Sequence, residues 1–315
     1  MSDISLRAVP PADQSRPVAG AHARLLVFTW VATLLVSSLP AILWQELHIQ
    51  PAMPMLPVRI VLLVAFMGVT FLWKAARPLR AYFFLFLCLY LADAFFTWIG
   101  TTAVWQGWFK GAESSFNLSM MSGQLLRLAT AVVMVAVLWL VFKRREDFFL
   151  TRGEINATAE PVRWIGMARP TGWKRFGLIL SLCIALGVLA FVFIFSHPAL
   201  DSLGQVIPFL PIVFLAAAMN AFSEEMAFRA SLLAPLLNVV GKSQALLMTA
   251  ALFGLWHFYG VPYGVLGVVM AGFLGWLLGK SMLETRGLFW AWFIHFWQDV
   301  VIFIFIAIGS VTSGG

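Results

Sequence analysis

Long apolar runs recur along the whole sequence, and they constrain the fold more than any other feature. A run of about 18 residues or more can cross the hydrocarbon core of a bilayer as a helix. Hydrophobic residues make up 61% of the 315 residues and charged residues only 11%, a balance that soluble globular chains do not show. The sequence therefore predicts an all-α, polytopic transmembrane helical bundle of about eight to nine helices and excludes a soluble domain.

The apolar runs and the residues that interrupt them define the predicted helices. Prolines punctuate the first two connections, and a polar, glycine-containing stretch near 107–115 punctuates the third. The first run follows a polar leader and lacks a small-residue cleavage site, so we predict a retained helix and no cleaved signal peptide. The predicted segments lie near 25–45, 57–74, 81–100, 118–142, 175–195, 206–237, 243–259, 262–280 and 287–310.

A polar stretch rich in Lys and Arg divides the chain into two membrane regions. Residues 1–145 are predicted to form an N-terminal four-helix membrane region, 146–174 a basic cytoplasmic linker, and 175–315 a C-terminal membrane domain. The positive-inside rule then places the N-terminus in the cytoplasm, with the bacterial cytoplasmic membrane as the expected location. Topology also explains the net charge of +7, so the expected partner is the lipid bilayer and not nucleic acid.

Ionisable residues inside membrane segments are costly, by roughly 2.5 kcal/mol or more each, and require a partner or a purpose. Glu224, Glu225 and Arg229 form one such group in an apolar helix. Glu225 and Arg229 are spaced as a helical ion pair, whereas Glu224 points about 100° away and has no obvious partner. Asp93 and Arg127 are predicted to pair with each other within the N-terminal region.

Two further groups place histidines on C-terminal helices, with Phe253 four residues before His257 and Asp299 four residues after His295. Together with Glu224, these side chains could activate water in two ways. In the first, Glu224 is the general base, His257 shares its proton, and His295 with Asp299 stabilises the oxyanion. In the second, Glu224, His257 and His295 bind zinc and leave a position open for water.

The residues alone do not decide between these two ways of activating water. The sequence lacks the His-Glu-x-x-His helix that is typical of zinc peptidases. No cofactor is therefore assigned, and zinc stays an open alternative.

The three groups, in this order on successive helices, resemble the CPBP family of intramembrane peptidases. This family includes the type II CAAX prenyl endopeptidases and the bacterial Abi and bacteriocin-processing proteins. The resemblance covers roughly residues 175–310 and leaves the N-terminal region without a family interpretation. It implies that Glu224 activates water, that His257 is its partner, that His295 and Asp299 stabilise the oxyanion, and that Glu225 and Arg229 support the site. Many family members carry Asn where this chain carries Asp299, which puts that residue's role in doubt.

The predicted function is therefore an intramembrane endopeptidase. Its substrate would be a peptide or protein with a membrane-associated tail, such as a prenylated tail, a leader peptide or a sorting tail. The alternative is a membrane protein without enzymatic activity, either a proton-coupled transporter or an immunity or scaffold protein. A transporter would more typically show two matching halves, and the sequence shows no such symmetry.

Overall fold

The computed structural model describes residues 19–51, 54–111, 115–196 and 203–313, and they form an all-α bundle. Arg7 and Arg16, two basic residues before the first predicted helix, lie outside these residues. The helices of the N-terminal region are α1 (Ala19–Val36), α2 (Leu39–Glu46), α3 (Met55–Leu72), α4 (Arg80–Thr101), α5 (Ala103–Phe109) and α6 (Phe116–Phe142). Those of the C-terminal region are α7 (Trp173–Ser196), α8 (Leu203–Val206), α9 (Leu210–Glu224), α10 (Ser231–Val240), α11 (Lys242–Trp256), α12 (Val265–Thr285) and α13 (Phe289–Ser313).

Short elements connect these helices. Two strands, β1 (Thr158–Ala159) and β2 (Thr171–Gly172), pair antiparallel within the linker. A π-helical turn, Glu225–Ala230, joins α9 to α10. Short 3-10 helices occur at Lys74–Leu79, Arg145–Phe148, Arg163–Ile165 and Ile207–Phe209.

Each of the nine predicted segments contains a helix, and the structure refines three of them, of which 206–237 is interrupted by the π-helical turn. The first is bent by 52° between α1 and α2, where Pro40 occupies the first turn of α2. The segment near 243–259 ends at Trp256, and the 15 residues of α11 are about 22 Å long, shorter than the bilayer core. By length and composition, seven helices in the described ranges could span a membrane, or eight if the bent pair is one span.

Helix packing connects the N-terminal and C-terminal regions. In the N-terminal region α4 packs on α3 and α6, and α6 also packs on α9. On the other side of α9 lies α13, which packs in turn on α7 and α12. The central pair α9 and α13 carries three of the four predicted catalytic residues, so the site lies where the two regions meet.

The linker is fixed to the C-terminal region. The Glu154 amide donates to the Thr285 carbonyl at 2.7 Å, and the Leu288 amide donates to the Thr151 carbonyl at 2.8 Å. These bonds hold the linker against the turn between α12 and α13, directly before the helix that carries His295.

Candidate active site

The buried Glu225–Arg229 ion pair forms the floor of the site, as predicted from the spacing. Both side chains are almost fully buried. The Arg229 guanidinium lies 4.1 Å from the centroid of the Phe253 ring, and its Nε donates to the Gly275 carbonyl at 3.4 Å. Phe253, which the sequence places four residues before His257, is thus a cation–π partner of Arg229. These contacts neutralise and immobilise Arg229, the one almost fully buried cation of this cluster among the described residues.

His295 is the centre of the cluster. Its Nδ1 donates to Glu225 Oε1 at 2.8 Å, which fixes the plane of the imidazole ring. Its Nε2 lies 3.7 Å from Glu224 Oε2 and 3.6 Å from Asp299 Oδ2. Glu225 therefore contacts the Nδ1 edge of the imidazole ring. Glu224 and Asp299 both lie near the Nε2 edge.

The π-helical turn Glu225–Ala230 begins directly after Glu224 and joins α9 to α10. A single π turn within an α-helix is often found at functional sites. The sequence predicted one continuous helix over 206–237, and nothing in its periodicity indicated the wider turn.

Asn220 joins two of the carboxylates. Its Nδ2 donates to Asp299 Oδ2 at 2.9 Å and to Glu224 Oε1 at 3.2 Å. One amide group thereby holds Glu224 and Asp299 next to each other beside His295. Sequence reasoning gave Asn220 no role, although its spacing of four residues from Glu224 on one helix was a usable signal.

Arg127 reaches the site from α6. Its Nη1 donates to Asn220 Oδ1 at 2.5 Å and lies 3.8 Å from Glu224 Oε1. Arg127 also interacts electrostatically with Asp93, as predicted, but its hydrogen bond goes to the C-terminal region, which the prediction did not include. The sequence carried no local signal for this contact, since the partners are 93 residues apart.

His257 stands apart from this hydrogen-bonded network. It follows the last residue of α11, and its Nδ1 donates to the Phe253 carbonyl at 2.8 Å, which leaves Nε2 free to accept a proton. It interacts electrostatically with Glu224 more weakly than His295 and Arg127 do. The structure thus brings Glu224, His295 and Asp299 together and leaves His257 at the edge.

The zinc alternative requires Glu224, His257 and His295 around one point. Among the described residues no three His, Cys, Asp or Glu side chains are arranged to hold a metal ion. The observed arrangement does not fit this ligand set, and we derive no step through a metal; the involvement of zinc stays a prediction.

The fold and the cluster define a class: a multi-pass membrane protein whose α-helical bundle holds an acid–imidazole site at its centre. Residues 206–301 match the family model of type II CAAX prenyl endopeptidases that are Rce1-like. The match contains all six predicted site residues and confirms the resemblance for this segment, which is under a third of the chain. No curated protein and no solved structure matches the chain. At the level of the family, the match indicates a membrane protease of the CAAX type.

Proposed function

We propose that the protein is an intramembrane endopeptidase in which Glu224 activates the water that hydrolyses a peptide bond. One observation carries this proposal: Glu224 keeps 15% of its side chain accessible, whereas Glu225, its neighbour in the chain, keeps none. A carboxylate that is held by several polar groups and is still reachable is suited to bind and deprotonate a water molecule.

The remaining residues complete a hydrolytic reaction. Glu224 takes a proton from water, and the oxygen attacks the scissile carbonyl carbon. His295, with its ring fixed by Glu225, directs Nε2 toward the same space and stabilises the negative charge that develops on the carbonyl oxygen. The proton held by Glu224 then passes to the leaving amine, so that one water is consumed and one amide bond is cleaved.

His257 and Asp299 have different places in this scheme. His257 interacts electrostatically with Glu224 and uses only Nδ1 for the Phe253 carbonyl, so its Nε2 is assigned to share the proton of Glu224. Asp299 receives the Asn220 amide and keeps the His295 ring facing Glu224. This arrangement gives the acid at position 299 a positioning role, which an asparagine could also fill.

The substrate that fits this proposal is a peptide or protein with a membrane-associated tail, because the site lies inside a helical bundle. The resemblance favours a prenylated tail, a leader peptide or a sorting tail. We also propose the bacterial cytoplasmic membrane as the location, with the N-terminus in the cytoplasm.

Comparison of wild type with Glu224→Gln tests the proposal. Glutamine keeps the size of the side chain but cannot deprotonate water. Membrane and secreted proteins from cells that express each variant at equal levels are compared for new N- and C-termini by mass spectrometry. We expect a set of termini that Glu224→Gln abolishes and that Glu46→Gln, a remote exposed position, retains.

The opposite result identifies the alternative. If the Glu224→Gln proteome is the same as that of wild type while another phenotype is lost, the transporter or scaffold function replaces the peptidase. The zinc content of the purified wild-type protein tests the metal form of the mechanism in the same preparation.

A further inference from the structure

A cavity of about 850 Å³ lies between α4, α5, α6 and the C-terminal end of α13. Most of its wall comes from the N-terminal region, which the family match does not cover. Its volume is within the range of cavities that hold a small ligand or a short peptide. Polar side chains such as Thr97, Gln106 and Ser119 alternate in its wall with apolar ones. This is the composition expected for a peptide, which has both polar backbone and apolar side chains.

Arg127 connects the cavity to the candidate active site. It lines the cavity, and 56% of its side chain is exposed there, while its Nη1 contacts Asn220 and Glu224. In the described part of the chain, only Nη1 of this guanidinium hydrogen-bonds. A guanidinium has several further N–H donors, which are available to a group inside the cavity.

The charges in the wall indicate which group that is. Among the described residues that line it, Lys110 and Arg127 are the cations, and Asp93, with which Arg127 interacts electrostatically, is the one acid. Arg127 offers a planar set of donors that matches a carboxylate. A peptide segment that carries a carboxylate therefore complements this wall better than a neutral or cationic one.

We propose that this cavity is the substrate cleft, and that it holds a short peptide segment whose carboxylate binds to Lys110 and Arg127. The segment then extends past Arg127 to Glu224, where the scissile bond is hydrolysed. The N-terminal helices thus supply the part of the protein that selects the substrate. The carboxylate belongs either to the C-terminus of the substrate or to an Asp or Glu side chain. The proposal rests on the peptidase function proposed above.

Photocrosslinking with matched neighbours tests the location. The crosslinking residue p-benzoylphenylalanine is placed in the Glu224→Gln protein at the positions of Thr97 and Ser119, which line the cavity. Controls carry it at Trp98 and Leu118, which are adjacent in sequence and exposed but do not line the cavity. We expect peptides from the substrates found by terminus mapping to crosslink at Thr97 and Ser119 and not at the controls.

The outcomes separate the two proposals. If Glu224→Gln abolishes cleavage but the cavity positions capture no more substrate peptide than the controls, the cleft proposal is wrong and the peptidase proposal stands. If Glu224→Gln leaves every terminus unchanged, the peptidase proposal is wrong and the cleft proposal falls with it.

Kinetics with synthetic substrate peptides test the carboxylate. Loss of a charge-assisted hydrogen bond raises KM by about tenfold. We therefore expect one of two changes in the substrate peptide to raise KM by this factor. A C-terminal amide tests the chain terminus, and Asn or Gln in place of an acid tests the side chain.

In Lys110→Gln the same peptide change should raise KM less than in the wild-type protein, by about threefold, because only the Arg127 charge remains to bind the carboxylate. Lys110→Gln should itself raise KM for the unmodified peptide, because one of the two charges that bind the carboxylate is lost. Unchanged KM for both peptide changes in the wild-type protein would overturn the carboxylate assignment.

Discussion

Asn220 illustrates how a neutral side chain can organise an acidic site. Two carboxylates that lie close together repel each other, and the cost is high where water is scarce. The Asn220 amide donates to one oxygen of each, Glu224 Oε1 and Asp299 Oδ2. Its own carbonyl oxygen accepts from Arg127, so that the positive charge of the guanidinium reaches the pair both directly and through the amide.

Replacement of Asn220 should therefore impair the reaction more than the fold. In Asn220→Leu both donor contacts disappear and the side-chain volume stays similar. We expect cleavage to fall at least about tenfold, because a hydrogen bond to a charged group is worth roughly 1.5–3 kcal/mol. Cleavage of the substrate found by terminus mapping and thermal unfolding in detergent measure the two effects.

Ser223→Ala is the matched control for this change. Ser223 is adjacent to Glu224, the proposed catalytic residue, and is buried, but its Oγ has no hydrogen-bond partner among the described residues. Its removal should leave cleavage within about twofold of wild type, since no bond is lost. Equal losses in both variants would show that general disturbance of α9, and not the amide bridge, controls the reaction.

Spacing predicted contacts between residues near each other in sequence, and the family resemblance predicted that Glu224 and His295 share a site, but the contact of Arg127 with this site was missed. Spacing of four predicted the Glu225–Arg229 pair, which the structure contains. Arg127 was assigned to Asp93 because both lie in the N-terminal region, whereas helix packing of α6 on α9 places it beside Glu224. One-dimensional spacing carries no information about which helices become neighbours.

At the scale of elements, the close approach of α7 to α13 positions the helix of His295. Gly177 allows this approach, because a Cβ at that position would lie 2.4 Å from the ring of Trp290. Trp290 is itself buried on α13, five residues before His295. The two helices therefore depend on the absence of a side chain at one point.

Gly177→Ala and Gly187→Ala, on the same helix, should separate packing from helix propensity. A Cβ at Gly187 meets nothing within 4 Å, so Gly187→Ala should stabilise α7 slightly, by up to about 1 kcal/mol. Gly177→Ala should lower the midpoint of thermal unfolding, since overpacking costs about 1–3 kcal/mol. A higher midpoint for both variants would mean that Trp290 moves aside without cost.

Helix positions followed directly from hydrophobicity, but breaks within helices did not. Apolar composition predicts where a chain enters the membrane region, because burial of apolar surface dominates there. The π turn at Glu225–Ala230 and the early end of α11 at Trp256 depend on packing between helices. Glu224 directly precedes the first of these breaks and His257 directly follows the second, and the described structure has no direct hydrogen bond between the two residues.

At the scale of the whole molecule, contacts between loops define two opposite ends of the bundle. The Tyr263 hydroxyl donates to Glu46 Oε1 at 2.5 Å, which joins the α11–α12 loop to the end of α2. At the other end the linker contacts the α12–α13 turn through Thr151 and the Arg286 carbonyl at 2.9 Å. Although α11 is short, the chain reverses direction after it. Successive loops therefore alternate between the two ends of the bundle, as predicted.

The basic linker should therefore face the cytoplasm and the end with Glu46 should face outward. A protein in which Cys88 and Cys183 are replaced by Ala carries one new cysteine, at Gln45 or at Arg169, both exposed in the structure. A membrane-impermeant maleimide is added to spheroplasts before and after permeabilisation. We expect Gln45→Cys to react at once and Arg169→Cys only after permeabilisation, because excess positive charge stays in the cytoplasm.

The same measurement determines the side from which the proposed substrate cleft is reached. The cavity lies beside α5 and the C-terminal end of α13, at the end of the bundle that carries Glu46. If Gln45→Cys reacts first, the cleft opens outward, and substrates approach after export across the membrane. If Arg169→Cys reacts first, the bundle is inverted, and substrates that enter this cleft come from the cytoplasm. Helix packing fixes the end of the bundle at which the cleft lies. The labelling pattern shows which side of the membrane this end faces, and therefore whether substrates reach the cleft from outside or from the cytoplasm.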